Sequence, residues 1–191
     1  ATEETKGKPQ VIESFLATKC NTIYLAGRLQ HSSIICNRKL YVFGGEPDRL
    51  RQLNDIHVLD LSTWVWSELS PMGAAPTARV SSSAQFKGNK IYFFGGFDGT
   101  SWRNDLFAFN VGKHINPLLK KDTHTILLDD HMWETMITNG APPKPRCRHT
   151  ALIHRDEMII FGGNDCEKSF NDTHSLRLGL ILLRRAMLTL F

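Results

Sequence analysis

The stretch IYFFGGFDGTSWRND, residues 91–105, joins an apolar run to two glycines and an acidic turn. Glycines after a strand occur in phosphate-binding loops, where a helix follows and its N-terminal amides bind the anion. They also occur at tight turns that end a strand in a repeated β-unit. The residues after Gly96 begin no helix, and a further strand is predicted from 105 to 109. The turn is therefore favoured over the phosphate loop.

The double glycine is one of three features that recur in the chain. LYVFGG ends at Gly45, IYFFGG at Gly96 and MIIFGG at Gly163. An arginine lies 16 positions before the first glycine of each pair, and an Asn-Asp pair follows the glycines. These residues are Arg28, Arg79 and Arg146, and Asn54-Asp55, Asn104-Asp105 and Asn171-Asp172. Three features in one register, three times over, predict a repeat architecture.

Each repeat is predicted to form four short strands. In the second repeat they are 81–86, 90–94, 105–109 and a strand around Trp133. Runs such as IYFF and MIIF do not alternate with polar residues, so both faces of these strands must be covered. A stack of small sheets provides that cover, because each sheet packs between two neighbours.

The pattern R-x-x-H-S, LYVFGG and NDIHVLDLSTWVW resembles a Kelch repeat, with Trp66 as its fourth-strand tryptophan. The resemblance covers residues 28 to about 178. It implies an all-β fold, namely a Kelch-type β-propeller arc of about three four-stranded blades, incomplete for a closed propeller. Trp64 is an extra aromatic, expected on the same strand face as Trp66; packing is favoured over exposure for binding.

The repeats predict a division of the chain. It comprises an N-terminal tail with strand-like stretches (1–27), repeat 1 (28–78), repeat 2 (79–145) with an insertion (111–131), a partial repeat 3 (146–178) and a divergent hydrophobic and basic tail (179–191). In the tail, Leu183 stands where the pattern has Trp. We therefore expect a fragment of a larger propeller or an altered end. Alternatively, the chain self-associates through open blade edges.

Composition excludes several classes. The net charge of +4 is mild and the basic residues are scattered, so no nucleic-acid partner is expected. The tail is too short and is interrupted by Arg184-Arg185, so no membrane span is expected. The four cysteines form no CxxC pair, and no signal peptide is visible. Reduced thiols in the cytoplasm, or in the nucleus, fit this usage best.

No catalytic, cofactor-binding or metal-binding residue is predicted. His114, His124 and His131 match no metal-ligand spacing, and His57 and His174 occupy a slot that holds Phe107 in repeat 2. Copper radical oxidases resembling galactose oxidase form a less favoured alternative, which would need two ligand tyrosines. The chain's second-strand tyrosines, Tyr41 and Tyr92, are expected in the core.

The predicted function is a non-catalytic protein-interaction scaffold or adaptor. By resemblance, partners bind the loops after the double glycines, here 46–53, 97–103 and 164–170. The candidate contacts are Asp48, Arg49, Arg51, Asp98, Trp102, Arg103 and Lys168, together with Arg28, Arg79 and Arg146 near the channel mouth.

Each group of candidates has an alternative. Trp102 could pack on its blade with Arg103 solvated, and the three repeated arginines could form salt bridges between blades. At the level of function, the alternative is the substrate-recognition part of a ubiquitin-ligase adaptor.

Overall fold

The computed structural model describes residues 25–112 and 131–178. These residues form three antiparallel sheets, which we call blades. Blade 1 has the strand order β1-β2-β3-β4, blade 2 has β5-β6-β7-β8, and blade 3 has β9-β10-β11. Strands follow one another in space as they do along the chain, so consecutive strands of a blade pair with each other. The described residues are all-β, which confirms the predicted incomplete propeller of the Kelch type.

The strands are short, as expected for blades. Blade 1 consists of β1 (Ser32–Cys36), β2 (Lys39–Phe43), β3 (Ile56–Asp60) and β4 (Val65–Leu69). Blade 2 consists of β5 (Ser83–Lys87), β6 (Lys90–Phe97), β7 (Trp102–Val111) and β8 (His131–Thr135). Blade 3 consists of β9 (Thr150–His154), β10 (Glu157–Phe161) and β11 (Thr173–Arg177).

The first strands of the blades lie side by side. β5 contacts both β1 and β9. Backbone hydrogen bonds join the segments that lead into these strands: the Ser81 amide donates to the Gln30 carbonyl (2.8 Å), and the Arg148 amide donates to the Ser81 carbonyl (3.2 Å). All three residues have positive φ, between 55° and 57°. The same backbone conformation is thus repeated at the inner end of each blade.

The double glycines directly follow the second strand in blades 1 and 3, as predicted, whereas in blade 2 Gly95 and Gly96 lie within β6, at its bulge. Gly44 has a φ of 64°, and a Cβ there would lie 2.6 Å from the carbonyl oxygen of Arg79, in the next repeat. A Cβ on Gly95, also at φ 64°, would lie 2.8 Å from the Arg146 carbonyl oxygen. Only glycine combines this φ with so close an approach to the neighbouring backbone. The glycines therefore fix the spacing between blades.

Apolar residues fill the spaces between blades. Between blades 1 and 2, the Trp133 ring contacts the rings of Phe43, Phe93 and Phe109 at centroid distances of 4.9–5.3 Å. A second, smaller cluster lies between blades 2 and 3 and includes Phe94, Leu106, Ala151, Met158 and Ile160. The prediction that the apolar second strands are covered on both faces is confirmed for β6, where Ile91, Phe93 and Phe94 are all buried.

Two local predictions are wrong. Trp64 does not lie on the fourth strand with Trp66; it ends the β3–β4 turn at a φ of 57° and is 45% exposed. β7 begins at Trp102 rather than at 105, because Trp102 pairs with Phe97 and extends the β6–β7 hairpin past a bulge at Phe94/Gly96. The pair Trp102–Arg103 therefore stands on a strand, and the exposed loop is shorter than predicted.

Several sequence predictions lie outside the described residues. They concern the N-terminal tail through residue 24, most of the insertion at 111–131 with His114 and His124, and the tail 179–191. The repeat boundaries stay a prediction.

Candidate partner-binding face

We call the surface formed by the loops after the double glycines, 46–53, 97–103 and 164–170, the double-glycine face. Three repeated Arg–Asp ion pairs form the frame that supports this face. In each repeat the arginine guanidinium binds both carboxylate oxygens of the aspartate in the Asn-Asp pair. The distances are 2.7 and 2.9 Å for Arg28–Asp55, 2.6 and 3.1 Å for Arg79–Asp105, and 2.6 and 2.8 Å for Arg146–Asp172. Each arginine also donates to the carbonyl of the first glycine of its own repeat, at 2.8–3.0 Å. The pairs therefore act within a repeat, whereas the sequence alternative placed them between blades.

These arginines have almost no free surface. The side chains of Arg28, Arg79 and Arg146 are 4%, 1% and 0% exposed. Bidentate pairing with a carboxylate satisfies a buried guanidinium best, since its donors form a planar fork. The structure therefore favours a structural role for these three binding candidates, with their donors directed into the blade.

A ring-bearing side chain two residues after the aspartate contacts the ion pair in each repeat. His57 and His174 bond the aspartate of their own repeat, at 2.8 and 2.9 Å. In repeat 2, Phe107 occupies that position and lies 5.4 Å from the guanidinium carbon of Arg79. The structural role predicted for the two histidines agrees with these contacts.

The pairing lowers the pKa of two of the aspartates. Hydrogen bonds from Arg146, and then from His174, hold the pKa of Asp172 well below its usual range. Burial raises the pKa of Asp55, but the hydrogen bonds from Arg28 and His57 outweigh it and leave that pKa lowered. Both carboxylates are therefore charged at neutral pH, as the ion pairs require.

Each loop after a double glycine is closed by an aspartate side chain. Asp48 accepts from the amides of Leu50 and Arg51. The two equivalent aspartates do the same: Asp98 accepts from Thr100 and Ser101, and Asp165 accepts from Glu167 and Lys168, at 2.7–3.1 Å. Such side chain to backbone bonds define an Asx turn. Sequence reasoning named Asp48 and Asp98 as contacts and missed Asp165, although it follows Gly163 as Asp98 follows Gly96.

Asp98 also anchors Arg103. The Arg103 Nε donates to Asp98 at 2.7 Å, and its Nη2 contacts the same oxygen. Burial raises the pKa of Asp98, but the Ser101 amide, the Arg103 guanidinium and the Thr100 amide together lower it well below its usual range. Asp98 is 5% exposed in its side chain and Arg103 is 38% exposed. Arg103 is thus held in one position but still reaches solvent.

Trp102 is half-buried and lines a cleft between the loops of blades 2 and 3. Its ring contacts the ring of Phe97 in a tilted arrangement, with the ring centroids 5.1 Å apart. The cleft holds about 340 Å³, and its other walls are the Thr100–Ser101 turn, Lys144–Pro145 and the acidic side chains of Asp165 and Glu167. The packing alternative is thus realised in part, because one face of the indole rests on the blade and the rest borders the cleft.

The remaining candidates are exposed. Asp48, Arg49, Arg51 and Lys168 all lie at loop surfaces. Arg49 adopts a φ of 61°, and the Lys168 ammonium lies 5.7 Å from the ring of Phe170. Behind these loops, the buried carboxylate of Glu46 accepts from Gln30 at 3.1 Å and Gln52 at 3.4 Å. The loops thus carry charged side chains on a fixed support.

Comparison with known proteins identifies the family of the chain. The family model described as the KLHDC2/KLHL20/DRC7 Kelch-repeats domain matches residues 14–119, more than half of the chain. The chain belongs to the Kelch-repeat family. Members of this family are generally protein-interaction modules rather than catalysts, and that class agrees with the loop face described above.

Individual relatives are considerably longer than the chain. It is 32% identical over 148 residues to tip elongation aberrant protein 1 of Schizosaccharomyces pombe, covering 76% of this chain and 12% of the relative. It is 30% identical over 158 residues to acyl-CoA-binding domain-containing protein 5 of Arabidopsis thaliana, covering 79% and 22%. It is 29% identical over 136 residues to Kelch domain-containing protein 3 of Bos taurus, covering 71% and 32%. The chain thus spans a third or less of the length of these relatives.

Three observations bear on the rival classes. Within residues 25–112 and 131–178, no three His, Cys, Asp or Glu side chains stand together as metal ligands. A helix long and apolar enough to cross a membrane does not occur among those residues either. Burial raises the pKa of Tyr41 to about 12, which keeps that phenol neutral in the core.

Proposed function

We propose that this chain is a non-catalytic scaffold or adaptor domain that binds a protein partner through its double-glycine face. One observation carries the proposal: three aspartate-closed loops with charged side chains stand on a buried, thrice-repeated Arg–Asp frame. Binding residues are commonly placed on loops that a rigid support positions. A face that is fixed before binding loses little conformational entropy on association.

The residues proposed for partner contact are those that reach solvent. They are Asp48, Arg49, Arg51, Trp102, Arg103 and Lys168. Asp98 supports the group by holding Arg103 and the turn before Trp102. Arg and Trp are enriched among residues that dominate binding energy, particularly next to a cleft. Arg28, Arg79 and Arg146 contribute to binding only through the frame.

A comparison of two double variants tests the proposal. Arg49→Ala/Lys168→Ala removes two exposed charges from the face. Arg38→Ala/Arg155→Ala removes two exposed charges from the turns β1–β2 and β9–β10, and its residues have φ values of 60° and 53°, close to that of Arg49. We expect the first variant to lose partners that wild type and the second variant both recover in a quantitative pull-down. Equal recovery by both variants would refute the assignment.

We also propose a location in the cytoplasm or nucleus. Among residues 25–112 and 131–178, the buried thiols of Cys36 and Cys147 and the exposed thiol of Cys166 form no disulfide with one another, which supports a reducing compartment. Imaging of the tagged chain, with fractionation, tests this; enrichment in the secretory pathway would contradict it. The role as a ubiquitin-ligase substrate reader stays a prediction.

A further inference from the structure

The outer edge of blade 3 differs from that of the other two blades. β3 pairs with β4 and β7 pairs with β8, so the third strand of blades 1 and 2 is covered by a fourth. Among the residues that the structure describes, β11 pairs only with β10. An uncovered strand edge presents backbone donors and acceptors to any extended chain.

An apolar groove lies beside this edge, between blades 2 and 3. It holds about 370 Å³, and its apolar walls come from both blades and from the segment after β8. They include Tyr92, Leu106, Met136, Ile137, Leu176 and Leu178. Ile137 is 90% exposed. A smaller adjoining hollow of about 70 Å³ reaches inward to Phe94 and Ile160. The two cavities form one recess along β11.

The corresponding space between blades 1 and 2 is filled. Trp133, on the fourth strand of blade 2, packs against Phe43, Phe93 and Phe109. Moved forward by one repeat, these three positions become Phe94, Ile160 and Leu176. All three line the hollow. The hollow therefore corresponds to the place of a large apolar side chain on a fourth strand.

Two glycines at equivalent positions in the repeats differ in the space beside them. Gly73 and Gly140 each lie six residues before the arginine of the next repeat, with φ values of 85° and 93°. A Cβ on Gly73 would lie 2.4 Å from the carbonyl oxygen of Trp133, whereas a Cβ on Gly140 meets no atom of the described residues within 4 Å. Beside Gly73, Met72 exchanges backbone hydrogen bonds with the fourth strand, at 2.9–3.0 Å. Among the described residues, the space that the fourth strand occupies beside Gly73 is therefore open beside Gly140.

We infer that this recess is a docking site for a β-strand, and that its occupant is the chain's own segment 179–191, with Leu183 in the hollow. In blade 1, Leu59 faces Trp66, seven residues later. Leu176 occupies the position of Leu59, so a connection of the same length places Leu183 opposite Leu176. The segment begins one residue after Leu178 and carries Leu180, Ile181, Leu182 and Leu183.

The covalent connection favours this occupant over a separate chain. A tethered segment experiences a local concentration in the millimolar range, far above that of a free partner. The inference revises the sequence-based expectation of an altered or truncated end, because Leu183 provides an apolar side chain where the repeat pattern has Trp. It is independent of which partner the loop face binds.

A matched pair of substitutions tests the register. In the complete chain, Leu183→Asp would place a charge in the apolar hollow. Leu182→Asp is the control, since Leu182 corresponds to Met132 and Val65, which are 38% and 39% exposed. We expect Leu183→Asp to lower Tm by about 5 °C or more and Leu182→Asp to change it by less than about half as much. Equal effects of the two substitutions would overturn the register.

A double-mutant cycle with Gly140 tests the position of the strand. If segment 179–191 lies in the recess, Gly140→Ala places a Cβ against it and lowers Tm more in the complete chain than in a chain ending at Leu178. The common cost of a left-handed alanine cancels in this comparison. Equal shifts in both backgrounds would contradict docking.

Light scattering distinguishes the chain's own segment from that of a second copy. We expect the complete chain to be a monomer whose Tm is independent of concentration. A dimer that dissociates on removal of 179–191 would overturn the intramolecular assignment in favour of exchange between copies.

Discussion

The carbonyl oxygen of Arg79 accepts a 2.9 Å hydrogen bond from the amide of Gly45. The second glycine of repeat 1 is thereby joined to the arginine that begins repeat 2. The Arg146 carbonyl and the Gly96 amide form the same bond at the next boundary, also at 2.9 Å. The arginine thus links its own repeat through its guanidinium and the preceding repeat through its backbone.

Replacement of a frame arginine is expected to destabilise the fold strongly. Arg79→Ala leaves Asp105 and the Gly95 carbonyl without their donors. Removing one partner of a buried ion pair costs about 3–5 kcal/mol. Chemical denaturation should show this loss of unfolding free energy, while the exposed neighbour variant Arg148→Ala should change it by less than about 0.5 kcal/mol. A similar stability for the two variants would refute the structural role of the arginine.

The double glycines allow a comparison at constant backbone conformation. Gly44 and Gly88 both have a φ of 64°, but a Cβ on Gly44 would clash with the Arg79 carbonyl, while one on Gly88 meets no atom of the described part of the chain within 4 Å. Alanine in the left-handed region costs about 1–2 kcal/mol at either site. We expect Gly44→Ala to lose more than this and Gly88→Ala to lose only this amount, measured by urea unfolding. Equal losses would show that the contact between repeats contributes nothing.

Acid should destabilise the protein first through His149. This side chain is buried, with its Nε2 2.8 Å from the Ser83 hydroxyl, and burial together with nearby Arg146 lowers its pKa to about 4. A lowered histidine pKa means that the unfolded state binds the proton more readily. The contribution to stability is therefore complete above about pH 6.5 and is lost as the pH falls towards 4, by about 3 kcal/mol at most.

Urea midpoints measured from pH 7 to pH 4 test this assignment. His149→Gln should reduce the decrease of the urea midpoint between pH 7 and pH 4. His154→Gln, at an exposed position, should leave that decrease unchanged. If the His149→Gln profile keeps the full slope of wild type, another group is responsible.

Below pH 4, protonation of the aspartates should become the main cause of destabilisation. The pKa of Asp172 is lowered by Arg146 and His174, and that of Asp98 is lowered by its turn amides and Arg103 against the opposing effect of burial. A carboxyl with a lowered pKa stabilises the fold above its ordinary pKa, here 3.8, and loses that effect as the pH falls further. Asp172→Asn should therefore reduce the steepness of the stability curve below pH 4. An unchanged slope would argue against the ion pair.

The sequence was sufficient for the fold because its signals recur. The double glycines, the arginines and the Asn-Asp pairs each appear three times in one register, and all three prove to be parts of a single contact. The pairing itself was not predicted, since spacing alone does not show that Arg79 and Asp105, 26 residues apart, meet within a repeat. The position of Trp102 likewise depends on cross-strand pairing: Trp102 belongs to β7 because it pairs with Phe97 on β6.

Features formed between repeats were harder to predict. The cleft beside Trp102 has walls from residues 100–102, 144–145 and 165–167, which come together only when the blades pack. The third loop aspartate, Asp165, could have been found by counting from Gly163. Trp64 was misplaced because a left-handed residue ends the turn one position later than an alternating strand pattern suggests.

Hydrogen exchange on the protein with and without its recovered partner tests the central claim most directly. The claim is that the partner binds the double-glycine face. We expect slowed exchange in residues 46–53, 98–101 and 164–170, and unchanged exchange in the turns at 37–38, 88–89 and 155–156. Protection confined to those turns, or to the outer strand β4, would contradict it.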